Sequence, residues 1–155
     1  MLNTLKNTMH KFIVYTDGGA RGNPGPAALG VVICNEKGQI LEKYGEYLGE
    51  VTNNEAEYRA PIFALKKIKA LFGKEKAKES EVQILTDSEL VAKQMNGEYK
   101  VEHPTTQKFF LELWNLKLDF KKVSFQPIPR EKNKEADKMV NETLDAKGFA
   151  KQLFD

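Results

Sequence analysis

Phe12-Ile13-Val14-Tyr15 is apolar without alternation, the pattern of a strand buried on both faces. It runs into Asp17 and then into Gly18 to Ala27, which holds four glycines and two prolines. Such a composition predicts a strand that stops at Asp17 and a long loop, with the carboxylate left at a rim, free of burial. Leu29 to Cys34 is a second apolar run, Asn35-Glu36-Lys37-Gly38 a turn, and Gln39 to Leu48 a third strand. The chain therefore opens as an antiparallel meander. Thr52 with Glu55 three residues on forms a capping box, and Ala64, Leu65, Ile68 and Phe72 share one face of the helix that follows. Pro61 falls inside that helix and removes the bond to the Glu57 carbonyl, at a cost of about 3 kcal/mol or a kink.

Beyond it the charged stretch Lys74 to Glu81 reads as a solvated loop. Val82 to Thr86 is a short strand ending at Asp87, and Ser88 caps a helix through about Met95 that Asn96-Gly97 terminates. A helix from about Thr105 to Phe120 carries the stripe Phe109, Leu113, Leu116, Phe120. Val123 to Gln126 alternates as a strand, Pro127 to Lys134 is a loop, and the last helix starts near Asn133 with Ala136, Val140 and Leu144 inward. Three strands followed by helices and strands in alternation call for an α/β fold whose sheet begins antiparallel and continues through helical crossovers. Ligands in open sheets of this kind collect at strand ends. Asp17 and Asp87 both lie at such ends.

A length of 155 residues fits one domain with a sizeable core. Residues 1–10 read as a flexible polar extension, 11–147 as the domain, and 148–155 as a tail whose Phe149, Leu153 and Phe154 suit packing or a partner. The net charge of +2 excludes an overall basic field, so any contact with nucleic acid has to come from local placement. The single cysteine, Cys34, lies in an apolar run and reads as a core residue, in keeping with a reducing compartment. No segment approaches the roughly 18 apolar residues of a membrane span, and Met1 to His10 lacks the apolar centre of a signal peptide. The expectation is a cytoplasmic monomer without membrane contact.

Two further acids stand out by position: Glu57, in the first turns of the first helix, and Asp137, at the start of the last. One acid near a helix start ordinarily favours the macrodipole. Four acids drawn to one point raise one another's pKa, and a fold that gathers them implies a hard cation such as Mg²⁺ or Mn²⁺. Two such ions about 4 Å apart stabilise both the attacking and the leaving oxygen of a phosphoryl displacement. Glu131 and Glu135 read as solvated charges, and Glu55 as the partner in the capping box.

Thr16-Asp17-Gly18-Gly19-Ala20-Arg21-Gly22-Asn23-Pro24-Gly25-Pro26-Ala27, Thr52-Asn53-Asn54-Glu55-Ala56-Glu57-Tyr58, Thr86-Asp87-Ser88-Glu89-Leu90-Val91 and Pro129 through Asp137 together resemble a type 1 ribonuclease H of the prokaryotic kind. The resemblance covers residues 11 to 145. It implies a five-stranded mixed sheet of order 3-2-1-4-5, with the first three strands antiparallel and helices on both faces. It also implies a two-metal endonuclease that cuts the RNA strand of RNA–DNA hybrids to leave 5′-phosphate and 3′-hydroxyl ends. Carried over, Asp17 bridges both metals, Glu57 and Asp87 hold the ion at the leaving oxygen, and Asp137 holds the ion that activates water. The substrate-contacting positions are Gly18, Asn23, Thr52, Asn53 and Asn54, with Asn23 and Thr52 near a DNA phosphate. Many members carry a histidine before the last acid; here Arg130 is the nearest polar substitute. The basic insertion many members carry is reduced to Gly97 through Pro104, which implies modest, salt-dependent affinity. Two other readings stay open: a hybrid-binding module with little turnover, and a DNA-cutting nuclease of the same fold.

Overall fold

The computed structural model describes residues 11–149, so the two chain ends, 1–10 and 150–155, lie outside the described residues. The meander is β1 (Lys11–Ala20), β2 (Gly25–Asn35) and β3 (Ile40–Val51). It is followed by α1 (Asn53–Phe72), α2 (Lys74–Glu79), β4 (Glu81–Thr86), α3 (Glu89–Met95), α4 (Pro104–Lys117), β5 (Lys122–Pro127), a 3₁₀ turn (Arg130–Lys132) and α5 (Lys134–Ala146). The five strands lie in the order β3-β2-β1-β4-β5. β1, β2 and β3 pair antiparallel, and β4 is parallel to both β1 and β5. Order and strand directions are those the sequence motifs imply.

β1 alternates in space although its sequence does not. Phe12 and Val14 sit in the main core with Tyr58, Leu65, Ile68 and Phe72 from α1, and the rings of Phe12 and Phe72 are 4.9 Å apart. Ile13 and Tyr15 point to the opposite face, which among the described residues is covered by α5, and remain half-buried against Val32, Cys34 and Ala136. The expectation of burial on both faces therefore holds for one face only.

Nor does β1 stop at Asp17. It stays paired with β2 from Asp17↔Gly30 to Ala20↔Ala27, while its ladder with β4 ends at Thr16↔Thr86. The long loop shrinks to residues 21–24. What reads as loop composition is instead a run of small residues in extended pairing, needed because helix backbone presses on the strands there. A Cβ on Gly18 would lie 2.2 Å from the Ala56 carbonyl carbon in α1, and one on Gly30 would lie 2.1 Å from the Ala136 carbonyl oxygen in α5. Antiparallel partners share a face, so Gly30 and Asp17 face α5, and Gly18 faces α1. The two helices thus close on the sheet from opposite sides, one residue before Glu57 and one before Asp137.

Local signals elsewhere hold with three corrections. Thr52 Oγ1 accepts the Glu55 N–H at 3.1 Å, but the Glu55 carboxylate turns to Arg59 at 3.2 Å instead of completing a capping box. Lys74 to Glu79 is helical, not loop, because Ala77 is buried and anchors a turn whose lysines and glutamates face water. α4 ends at Lys117, leaving Phe120 to enter the core from the connection to β5. α1 runs without a break through the buried Pro61.

Gly18→Ala and Gly30→Ala are each expected to destabilise the protein by about 2–4 kcal/mol through overpacking against helix backbone. Gly19→Ala, whose Cβ would meet the Val140 side chain at an ordinary 3.6 Å, should cost less than about 1 kcal/mol. Urea denaturation of the three variants checks the ranking.

Candidate active site

A cleft of about 790 Å³ opens where β1 runs past the end of β4, and Asp17, Glu57, Asp87 and Asp137 all line it. Each acid arrives on a different element. Asp17 belongs to the unpaired flank of β1, Glu57 to the first turns of α1, Asp87 to the residue after β4, and Asp137 to the first turn of α5, its N–H bonded to the Asn133 carbonyl at 3.1 Å. Asn133 ties that helix to β1 by donating its side-chain amide to the Thr16 carbonyl at 2.8 Å. Gly18, Asn23, Asn53 and Arg130 line the same cleft. Thr52 and Asn54 line an adjoining hollow of about 560 Å³ that Asn23 also borders.

Asp17 is not a rim residue. It is 8% exposed and accepts one bond, from the Gly18 N–H at 2.9 Å. Burial, together with the neighbouring charges of Asp87 and Asp137, pushes its carboxyl up to about 9, so a proton stays on it at neutral pH. Glu57 rises to about 6, again through burial first and Asp87 second, with the Ser88 hydroxyl and the Arg130 guanidinium pulling the other way. Burial also raises Asp87, against the Arg130 charge. Arg130 is the cation that faces both acids.

The donors are all carboxylate oxygens, the set a hard divalent ion takes, and the carboxyl of Asp17 is raised first by burial and then by the charges of Asp87 and Asp137, a repulsion such an ion would offset. Residue chemistry and placement therefore fit a divalent cation. Among the described residues, however, no three acidic, histidine or cysteine side chains already surround a single point. Convergence on one cleft is observed; a ready-made cage is not.

Asn23 and Asn53 spend their side-chain acceptors on the protein's own backbone, and Asn54 spends its donor on Thr106. Asn53 Oδ1 accepts the Ala20 N–H at 2.7 Å, and Asn23 Oδ1 accepts the Asn53 N–H at 3.0 Å. Their acceptors are thus used within the protein, leaving amide N–H groups for a ligand. Asn54 donates to Thr106 Oγ1 at 3.1 Å, and its buried Oδ1 has no partner among the described residues. Arg21, part of the first motif but given no role by the sequence, is a cleft residue only 6% exposed that binds Asp145 at 2.7 Å, Asn141 at 3.1 Å and the Phe149 carbonyl. Its partners lie more than a hundred residues away, so no local pattern marks it. Glu131 and Glu135 are exposed, and Glu135 pairs with Lys43 at 2.9 Å.

A raised carboxyl has a sign. The favourable state is the protonated fold, fully present below the unfolded pKa near 4 and lost as pH rises toward about 9. Asp17→Asn should therefore stabilise the metal-free protein by about 1–3 kcal/mol at pH 8 and change it little at pH 4. Thermal or urea unfolding of both proteins in EDTA across that range checks this.

Residues 15–143 match the family model described as reverse transcriptase-like. The bifunctional protein Rv2228c of Mycobacterium tuberculosis is 36% identical over 137 residues, which cover 88% of this chain and 36% of that protein. Ribonuclease HI of Halobacterium salinarum is 38% identical over 131 residues, covering 84% of this chain and 63% of the relative. The chain thus spans only part of the curated relatives it matches. Among solved structures, LC11-RNase H1 in complex with an RNA/DNA hybrid superposes with a TM-score of 0.83 at 47% identity, covering 88% of this chain and 98% of that one. The match in sequence and in nearly the whole of that fold, together with four acids lining one cleft, leads to one conclusion: the chain belongs to the type 1 ribonuclease H members of the reverse transcriptase-like family.

Proposed function

We propose that the protein is an endoribonuclease that hydrolyses the RNA strand of RNA–DNA hybrids, leaving 5′-phosphate and 3′-hydroxyl ends. The observation that carries the reading is the meeting of Asp17, Glu57, Asp87 and Asp137 in one cleft, in a chain 47% identical to a protein whose structure holds such a hybrid. Asp17 would contact both of two divalent ions, Glu57 and Asp87 would hold the one at the leaving 3′ oxygen, and Asp137 the one at the attacking water. Bound Mg²⁺, with Mn²⁺ as substitute, supplies a water acidic enough to attack near neutral pH and a counter-charge for the leaving oxygen.

The residues of the chain contribute position and charge. Burial of Asp17 removes the solvent that would screen these groups. Arg130, whose charge acts on Glu57 and Asp87, would substitute for the histidine that many family members carry before the last acid, and it would offer a guanidinium to a phosphate. Gly18, Asn23, Thr52, Asn53 and Asn54 would follow the two backbones in the minor groove. The amide donors of Asn23 and Asn53, whose acceptors are already used within the protein, would suit the groove's oxygen acceptors and its 2′-hydroxyls. The protein would act as a monomer in the cytoplasm; among the described residues no helix is long and apolar enough to cross a membrane.

The test is cleavage of a labelled hybrid beside duplex DNA and duplex RNA, in Mg²⁺, Mn²⁺ and EDTA, by the wild type and by Asp17→Asn. Hybrid-only cutting that needs metal and falls at least about 1,000-fold in the variant is the expected result. Binding without cutting would favour a hybrid-binding module, and cutting of duplex DNA would favour a DNA nuclease of this fold.

A further inference from the structure

Ser88 uses one hydroxyl twice. Its oxygen accepts the Val91 N–H at 3.2 Å and caps α3, while its proton goes to Glu57 Oε2 at 2.8 Å. The residue is 5% exposed, and its own N–H is held by Thr86 Oγ1 at 3.0 Å, with Thr86 itself 3% exposed. A hydroxyl has one proton to give. With the helix N–H fixed on the oxygen and the backbone fixed by Thr86, that proton has a single direction. Capping alone would leave the donor free to turn to water; here it crosses from the start of α3 to a carboxylate on α1.

We propose that Ser88 is a positioning residue for Glu57: it engages Oε2 and presents the other oxygen to the cleft as a single ligand beside Asp87. This rests on the reading of Glu57 as a metal-holding residue. It also gives Ser88, next in sequence to Asp87, a purpose beyond its helix. One side chain sets the angle of the carboxylate that has to reach the cleft from the far face of the sheet. Groups that orient a ligand in this way typically change metal affinity or activity 10- to 100-fold when removed.

The experiment follows the rise in melting temperature of the nucleic-acid-free protein on titration with Mg²⁺, for wild type, Ser88→Ala, Ser88→Gly, Ser88→Thr, Glu57→Gln and the Ser88→Ala/Glu57→Gln double variant. Ser88→Gly keeps a tolerated cap, which covers the case in which Ser88→Ala folds poorly. Both are expected to need about tenfold more Mg²⁺ for the half-maximal rise. Ser88→Thr should restore the wild-type midpoint within about twofold, because it keeps the hydroxyl. In the Glu57→Gln background, Ser88→Ala should shift the midpoint no further. A midpoint unmoved by Ser88→Ala and Ser88→Gly, with stability lost in the metal-free protein, overturns the proposal and leaves Ser88 as a cap. Absence of any Mg²⁺-dependent rise in the wild type overturns the metal-binding reading of the cleft itself, and the role of Ser88 with it.

Discussion

Backbone closing on backbone at two glycines is the constraint on which the rest of the site depends. At Gly18 and Gly30 a Cβ would fall about 2 Å from helix carbonyl atoms, α1 on one face and α5 on the other. Because Asp17 pairs with Gly30 and precedes Gly18, it sits where both helices press closest. Ala56 and Ala136 make the contacts, and the acids Glu57 and Asp137 follow each by one residue. The separation of the carboxylates is thus set by packing rather than by flexible side chains.

That packing also creates an electrostatic debt. Drawing Asp17 out of water beside Asp87 and Asp137 holds a proton on it well above the usual carboxylate range. Arg130 relieves part of the repulsion around Glu57 and Asp87 but not around Asp17. A site stabilised for its own sake would not be built this way. The strain makes sense if a divalent cation takes the place of the proton, and the free energy released by that exchange contributes to binding.

Much of this was legible in the chain, for identifiable reasons. The caps at Thr52 and Ser88 depend on residues three positions apart, and the inward faces of α1 and α5 follow helical spacing, so short-range pattern suffices. The four acids were legible because each belongs to a distinctive local motif. What escaped was everything set by distant contact. Glycines that signal a turn in sequence prove to be strand residues under a helix, which moved the end of β1 from Asp17 to Ala20 and buried a carboxylate expected at a rim. Ala77 alone turns a charged stretch into α2. The long-range bonds of Arg21 to α5 and of Ser88 to Glu57 leave no trace in local spacing.

The most direct test is a carboxyl-carbon NMR titration of Asp17, in the metal-free protein and again in saturating Mg²⁺, with Asp17→Asn to assign the signal. A carboxyl that titrates several units above the ordinary value of about 4 without metal, and falls to or below it with Mg²⁺, is the result expected if a buried acid cluster exists to receive cations. Titration near the ordinary value in both conditions would contradict it: the four acids would then share a cleft without acting on one another or on a common ion.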